Sequence, residues 1–321
     1  MLSLVIPVYR NEPNLDRLLA ELAILNGKLP VPLEVVFVID GSPDRCREIL
    51  EERLPGAPFA ARLITLSRNF GSFSAVAAGM QAGVGEYFAV LAADLQEPPE
   101  LVVQFCDVMM RGEADVVFGV RTRRADPWLS EFFSRLFWWI FRTFIIPDMP
   151  RGGVDVFGCT RQVRDQVLRC QEANTNLVAL LFWVGFRRRY AMYERRARQE
   201  GKSAWTIRKK IRYSFDSIFN FTDLPVQLLL TAGSVGMAFA VLFAMVLITL
   251  KLAGRIPVPG YSAIVLTVMF FGGLTSLGLG ILGQYLWLTL QNARRRPNFI
   301  VDAEKRYVGK EAEAEVRRQG E

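Results

Sequence analysis

Two stretches of this chain carry no charged side chain at all, Leu224 to Leu250 and Ile256 to Ala293. Each is longer than the roughly 20 apolar residues that span the hydrocarbon core of a bilayer. The pattern predicts two membrane helices, about 224–250 and 262–290, joined by a turn holding Pro257, Pro259 and Gly260; a very apolar core helix is the rival reading of each. Basic residues before the first helix and in Arg294–Arg296 after the second outnumber Lys251 and Arg255 between them. By the positive-inside rule both flanks are cytosolic and the connecting loop is outside. Small residues recur every four positions in both helices (Ala232, Gly236, Ala240 and Ala244; Gly272, Ser276 and Gly280), a spacing that lets helices approach closely within a hairpin or an oligomer.

At 321 residues the chain has room for a large domain besides this hairpin. Its start, Leu2 to Val8, reads as a strand and lacks the basic and long apolar regions of a signal peptide. The expected plan is a cytosolic domain over 1–200, a juxtamembrane amphipathic helix over 201–223, the multi-pass hairpin over 224–293 in the inner (plasma) membrane, and a cytosolic charged tail over 294–321. The net charge of +7 is local, because Arg187 to Arg212 holds eleven Lys or Arg against two Glu. Beside a membrane helix such a cluster suits anionic headgroups or phosphate ligands; nucleic acid is the rival reading, which a domain tethered this closely to a bilayer disfavours. Cys46, Cys106, Cys159 and Cys170 show no metal-type spacing and read as reduced, structural thiols. Histidine is absent, which excludes His triads, His–metal sites and imidazole bases.

Residues 1 to about 120 alternate apolar runs (Ser3–Val8, Glu34–Ile39, Arg62–Leu66, Tyr87–Leu91, Asp115–Val120) with helix-length segments near 13–25, 44–54, 72–82 and 99–111. That alternation predicts an α/β fold with a mostly parallel sheet covered on both faces. Such sheets bind ligands beyond the carboxyl ends of their strands. Four of those ends carry polar residues: Tyr9 to Glu12, Asp40 to Ser42, Ser67 to Gly71, and Asp94 to Gln96. Farther on, 127–146 is aromatic-rich but broken by Glu131, Arg135 and Arg142, which suits a helix lying in the membrane interface; an ordinary core helix is the alternative. Within 203–221, Ile207, Ile211, Phe215, Ile218 and Phe219 line a second such face.

Taken together, these strand ends resemble the family-2 inverting glycosyltransferases of GT-A fold. More narrowly, they are similar to the polyprenyl-phosphate glycosyltransferases of the dolichol-phosphate-mannose-synthase-like branch, and within it to the bacterial undecaprenyl-phosphate sugar transferases with two C-terminal membrane helices. The motifs that carry the likeness are Ile6-Pro7-Val8-Tyr9, Asp40-Gly41-Ser42-Pro43-Asp44, Ser67-Arg68-Asn69-Phe70-Gly71, Ala93-Asp94-Leu95-Gln96-Glu97-Pro98-Pro99-Glu100, Gly119-Val120-Arg121 and Arg198-Gln199-Glu200-Gly201-Lys202-Ser203. The resemblance runs from about Leu4 to about Pro297.

The resemblance implies a GT-A catalytic domain with a Rossmann-like, mostly parallel sheet, joined to interface helices and a two-helix transmembrane hairpin. Pro7, Tyr9, Glu12, Asp40, Ser67, Asn69 and Gly71 would then bind the nucleotide-sugar. Asp94 and Gln96 would hold Mg²⁺ or Mn²⁺. Arg121, Arg135, Arg198, Lys202 and Ser203 would meet diphosphate or acceptor phosphate, and Asp155 would lie near the reacting centre. The sequence departs from the family at Ala92, where the first aspartate of the metal motif usually stands, at Ile39, and at Ala204 in place of a lysine.

The activity implied is transfer of a sugar, from the UDP-sugar that the resemblance implies as donor, to undecaprenyl phosphate at the cytosolic membrane face, by a homo-oligomer that the resemblance makes a tetramer. An acceptor phosphate is largely ionised at neutral pH and requires little general base, which agrees with the missing histidine. A hydroxyl acceptor would need more help, with Asp155 the candidate base. A degenerate relative serving as scaffold for a lipid-sugar flippase is the non-enzymatic alternative.

Overall fold

Leu2–Val8 (β1) and Leu33–Ile39 (β2) are nearly unbroken runs of buried residues. A strand apolar on both faces belongs in the middle of a sheet covered on both sides, and the two pair in parallel, Leu2 with Leu33 through Val8 with Ile39. A computed structural model of the chain describes residues 1–122, 148–150, 154, 156–170, 176–196, 224–253 and 260–309. It divides into two units, Met1–Ile207 with Pro297–Glu321, and Arg208–Arg296.

The first unit is built on an eight-stranded sheet. Besides β1 and β2 it contains Ala60–Leu66 (β3), Tyr87–Val90 (β4), Val116–Arg121 (β5), Val156–Thr160 (β6), Arg188–Tyr193 (β7) and Val301–Tyr307 (β8). The strand order is β7-β5-β6-β4-β1-β2-β3-β8. Pairing is parallel from β3 through β2 and β1 to β4 and between β5 and β7, whereas β6 and β8 run antiparallel to their neighbours. This is the mostly parallel α/β arrangement expected, and the five strands read from periodicity stand within two residues of their expected limits.

Helices Leu15–Lys28 (α1), Cys46–Arg53 (α2), Ser72–Ala82 (α3) and Glu100–Met110 (α4) form the crossovers, followed by Arg161–Arg169 (α5) and Leu177–Trp183 (α6). Leu15, Leu18, Leu22 and Leu25 recur at helical spacing and bury one face of α1. On the other side α3 lies so close to the sheet that a Cβ on Gly79 would come within 2.3 Å of Val5 Cγ1.

Read as a charged tail, the residues after 297 in fact supply β8, which pairs along the free edge of β3 from Ala61 with Tyr307 to Leu66 with Val301. Beneath this pairing lies a buried polar chain. Glu34, only 4% exposed, accepts from Arg62 Nε (2.6 Å), Ser3 Oγ (2.5 Å) and the Val84 amide (3.0 Å). Arg62 reaches on to Glu304 of β8 at 3.2 Å. It ties the incoming ends of β1, β2 and β3 to the tail.

The second unit contains helices Leu224–Leu252 (α7) and Tyr261–Ala293 (α8), of 29 and 33 residues. They touch where Gly278 faces Leu229 (a Cβ would stand 3.4 Å away) and Gly236 faces Phe271 (3.7 Å), while Gly272 and Gly280 face open space. Among the described residues, one helical stretch is long and apolar enough to cross a membrane, Phe270–Ala293, with mean hydropathy 1.2. The interface segment 127–146, the segment 201–223, and Arg135, Asp155, Arg198, Lys202 and Ser203 lie outside the described residues.

Candidate functional site

The parallel strands β1 to β5 and β7 all end at one edge of the sheet, so their terminal loops share it. After Val8 the chain turns sharply, with Arg10 in the left-handed region (φ 56°). The Arg10 amide donates to Ser42 Oγ at 2.7 Å, and Ser42 donates to Asp44 Oδ1 at 2.6 Å. The Glu12 amide donates to Asp44 Oδ2 (3.2 Å), and Glu12 Oε2 accepts from the Arg45 amide (3.1 Å). Burial raises the Asp44 carboxyl, but the bonds from Ser42, Cys46 and the Glu12 amide outweigh it and hold the group below its ordinary range. These reciprocal bonds brace the loops after β1 and β2 against each other and present Tyr9 and Pro7, both half-buried, at the edge.

Asp40, only 3% exposed, joins β2 to β3. Its Oδ1 accepts from the Phe70 amide (2.7 Å) and its Oδ2 from the Gly71 amide (2.9 Å), while Asn69 Nδ2 donates to its carbonyl (3.0 Å). These amides precede the first turn of α3, where a helix leaves donors unused. Burial pushes the Asp40 carboxyl up, against the pull of the two amides and Arg68. Asp40 therefore shapes the Ser67–Gly71 loop, with Ser67 and Asn69 exposed at its rim.

Gly41 makes this approach feasible. At φ +58° a Cβ would stand 2.4 Å from the Asn69 amide nitrogen. Gly41→Ala is expected to cost at least about 1–2 kcal/mol from the left-handed backbone alone, and to displace residues 68–71. Thermal melting followed by circular dichroism should show the loss, whereas an unaltered melting temperature would mean that this position does not need glycine's backbone freedom.

Beyond β4, Leu95 also adopts the left-handed region (φ 53°), and the Gln96 amide donates to Asp94 Oδ1 at 3.3 Å. This tight turn leaves Asp94 half-buried at the edge while burying Gln96 and Glu97. Pro98 and Pro99 then lead into α4, their carbonyls accepting from Leu101 and Val102 (both 3.0 Å). Gln96, the other residue expected to hold the ion, accepts at its Oε1 from Arg195 Nη2. Arg195 Nε also lies 3.5 Å from Glu97 Oε1. Among the described residues no three acidic, Cys or His side chains cluster as a metal site. A Mg²⁺-like ion, which keeps waters and substrate phosphate oxygens in its shell, still fits a turn offering the one carboxylate of Asp94.

Arg121 closes β5 at the same edge, paired in register with Tyr193 of β7, and Thr122 donates from its amide to the Tyr193 carbonyl at 3.0 Å. The structure thus brings Pro7, Tyr9, Glu12, Asp40, Ser67, Asn69, Gly71, Asp94, Gln96 and Arg121 to one edge. It adds Arg195 and Arg196, which the sequence hides within a long basic run. A separate hollow of about 470 Å³, lined by Asp16, Leu19, Arg53 and residues 56–59, lies by the opposite end of β3.

Comparison with known proteins agrees with this architecture. The model of Glycosyl transferase family 2 matches residues 3–170. An uncharacterized glycosyltransferase of Synechocystis sp. is 29% identical over 301 residues, spanning 94% of each chain. The undecaprenyl-phosphate 4-deoxy-4-formamido-L-arabinose transferase of Pseudomonas paraeruginosa is 32% identical over 315 residues, 94% of this chain and 89% of that one. Its namesake in Pectobacterium atrosepticum is 30% identical over 93% of this chain and 92% of that one. A solved glucosyl-3-phosphoglycerate synthase of Mycobacterium tuberculosis overlaps loosely, with TM-score 0.47 and 14% identity over 68% of this chain and 77% of that one. With the family model covering more than half of the sequence, and relatives above 30% identity aligned along nearly all of it, the chain is a glycosyltransferase and belongs to glycosyl transferase family 2.

Proposed function

We propose that this enzyme transfers a sugar from a nucleotide diphosphate to a polyprenyl phosphate, undecaprenyl phosphate in a bacterial membrane. One observation carries the donor half of the reading: the loops after β1, β2, β3, β4 and β5 meet at one sheet edge, with Asp40 bracing the first part and Asp94 and Arg121 on the second. The acceptor half is supported by relatives named for undecaprenyl phosphate that align across 93–94% of this chain, its apolar helices included.

In this reading Tyr9 and the Asp40-braced loop hold the nucleoside. Arg121 meets the phosphates, since a guanidinium fork matches phosphate oxygens. The leaving diphosphate gains negative charge as the sugar departs, and fixed cations aimed at that charge lower the barrier. A divalent ion held by Asp94 would supply further positive charge there. The acceptor phosphate is already an anion, so the chain needs no histidine to deprotonate it. Arg135, Arg198, Lys202 and Ser203 are assigned to that phosphate, and Asp155 to the neighbourhood of the reacting carbon. The helices about 224–250 and 262–290 are proposed as a membrane hairpin that holds the enzyme beside its lipid substrate, with the domain over 1–200 and both termini in the cytosol, and the enzyme as a homo-oligomer.

The test is a thin-layer assay of the full-length protein with undecaprenyl phosphate and a panel of radiolabelled nucleotide sugars. One donor should give a lipid-soluble product, lost on chelation with EDTA and restored by Mg²⁺ or Mn²⁺. Transfer only to a hydroxyl acceptor would overturn the acceptor assignment, and EDTA-resistant transfer would overturn the ion.

A further inference from the structure

We infer that Arg195 is a positioning residue for the donor site, acting through Gln96 to fix the turn that carries Asp94. The inference rests on the donor-site reading above. Gln96 and Glu97, two and three residues beyond Asp94, are 8% and 2% exposed. Neither faces the solvent edge, and both face the end of β7. Arg195 donates to Gln96 Oε1 and stands 3.5 Å from Glu97 Oε1, so one guanidinium grips two consecutive side chains. The next residue adds a backbone bond, the Arg196 amide donating to the Gln96 carbonyl at 2.8 Å. Arg196 itself pairs with Glu21 of α1 (3.7 Å) and Glu100 of α4 (3.5 Å). The strand end is thereby tied to the turn on one side and to two helices on the other.

That tie matters because the turn holds a residue in a costly backbone conformation. Leu95 occupies the left-handed region, which L-residues other than glycine adopt at a penalty and hold only when neighbours over-determine them. Within the turn itself the bonds are long: Leu95 amide to Ala92 carbonyl at 3.4 Å, and Gln96 amide to Asp94 Oδ1 at 3.3 Å. Ala92 supplies no side-chain oxygen to help. A short-range hold on the segment comes from the residues just past β7, and it reaches the Asp94 turn through Gln96.

The experiment measures UDP binding by calorimetry in the presence of Mg²⁺ and, separately, the Mg²⁺ concentration for half-maximal transfer, using full-length protein in detergent. Arg195→Met should weaken UDP binding at least about tenfold and raise the Mg²⁺ requirement by a similar factor, with kcat at saturating donor and Mg²⁺ falling less. Arg195→Lys should recover part of the loss. Gln96→Ala should weaken binding too, and the double variant should be no worse than the poorer single one, because both changes cut the same link. Unaltered UDP affinity in Arg195→Met, or two effects that multiply in the double variant, would overturn the inference. A lower melting temperature with normal affinity in the folded protein would do the same, showing a merely structural role. If wild-type protein binds no nucleotide diphosphate, the donor-site reading fails instead.

Discussion

Asp94→Ala is expected to abolish sugar transfer, lowering kcat by roughly a thousandfold, the scale seen when one preorganised electrostatic group is removed from a reaction centre. Among the described residues no acidic cluster stands by to take its place, Ala92 has no carboxylate, and Gln96 accepts from Arg195. Asp94→Asn should be nearly as inactive, since it keeps the bond from the Gln96 amide (3.3 Å) but loses the charge. That comparison separates the electrostatic role from the turn's shape. Kinetics of purified protein at saturating donor, beside a far-ultraviolet circular dichroism spectrum, decide the matter. Turnover within threefold of wild type would remove Asp94 from the reaction.

Glu34→Ala should have the largest effect on stability, about 3–5 kcal/mol, the range for breaking a buried ion pair by deleting one partner. It would leave the Arg62 guanidinium, the Ser3 hydroxyl and the Val84 amide without their shared acceptor. For a unit of this size that corresponds to about a 10 °C fall in melting temperature. Glu34→Gln, which keeps one of the two accepting oxygens but turns an NH2 toward the donors of the other, should fall by less. Melting followed by near-ultraviolet circular dichroism in detergent checks both, and equal melting of the alanine variant and wild type would show that the network does not stabilise the sheet.

What the sequence disclosed follows from how far each signal reaches along the chain. The strands from β1 to β5 were legible because buried parallel strands are unbroken apolar runs, and amphipathic crossovers separate them. The strand end at Asp94 was legible as one carboxylate after an apolar strand, whereas the left-handed turn at Leu95 was not. By contrast, β7 (Arg-Arg-Tyr-Ala-Met-Tyr) and β8 (Val-Asp-Ala-Glu-Lys-Arg-Tyr) are edge strands with mostly exposed side chains. No hydrophobic alternation sets them apart from a charged linker or tail. Arg195 was hidden for a related reason. It is one cation among eleven between Arg187 and Arg212, and only the return of β7 beside β5 selects it. Glu34 looked like a strand boundary, because its partners Ser3, Arg62 and Glu304 are remote in sequence.

The pairing of β8 with β3 bears on how this protein can be made and handled. Ribosomal synthesis delivers both apolar helices before the final strand, so the sheet is completed only after they have emerged. A fragment cut off ahead of residue 224 would keep seven strands and leave the backbone of β3 bare, an invitation to edge-on aggregation. Splicing residues 297–309 back through a flexible linker would cover that edge again.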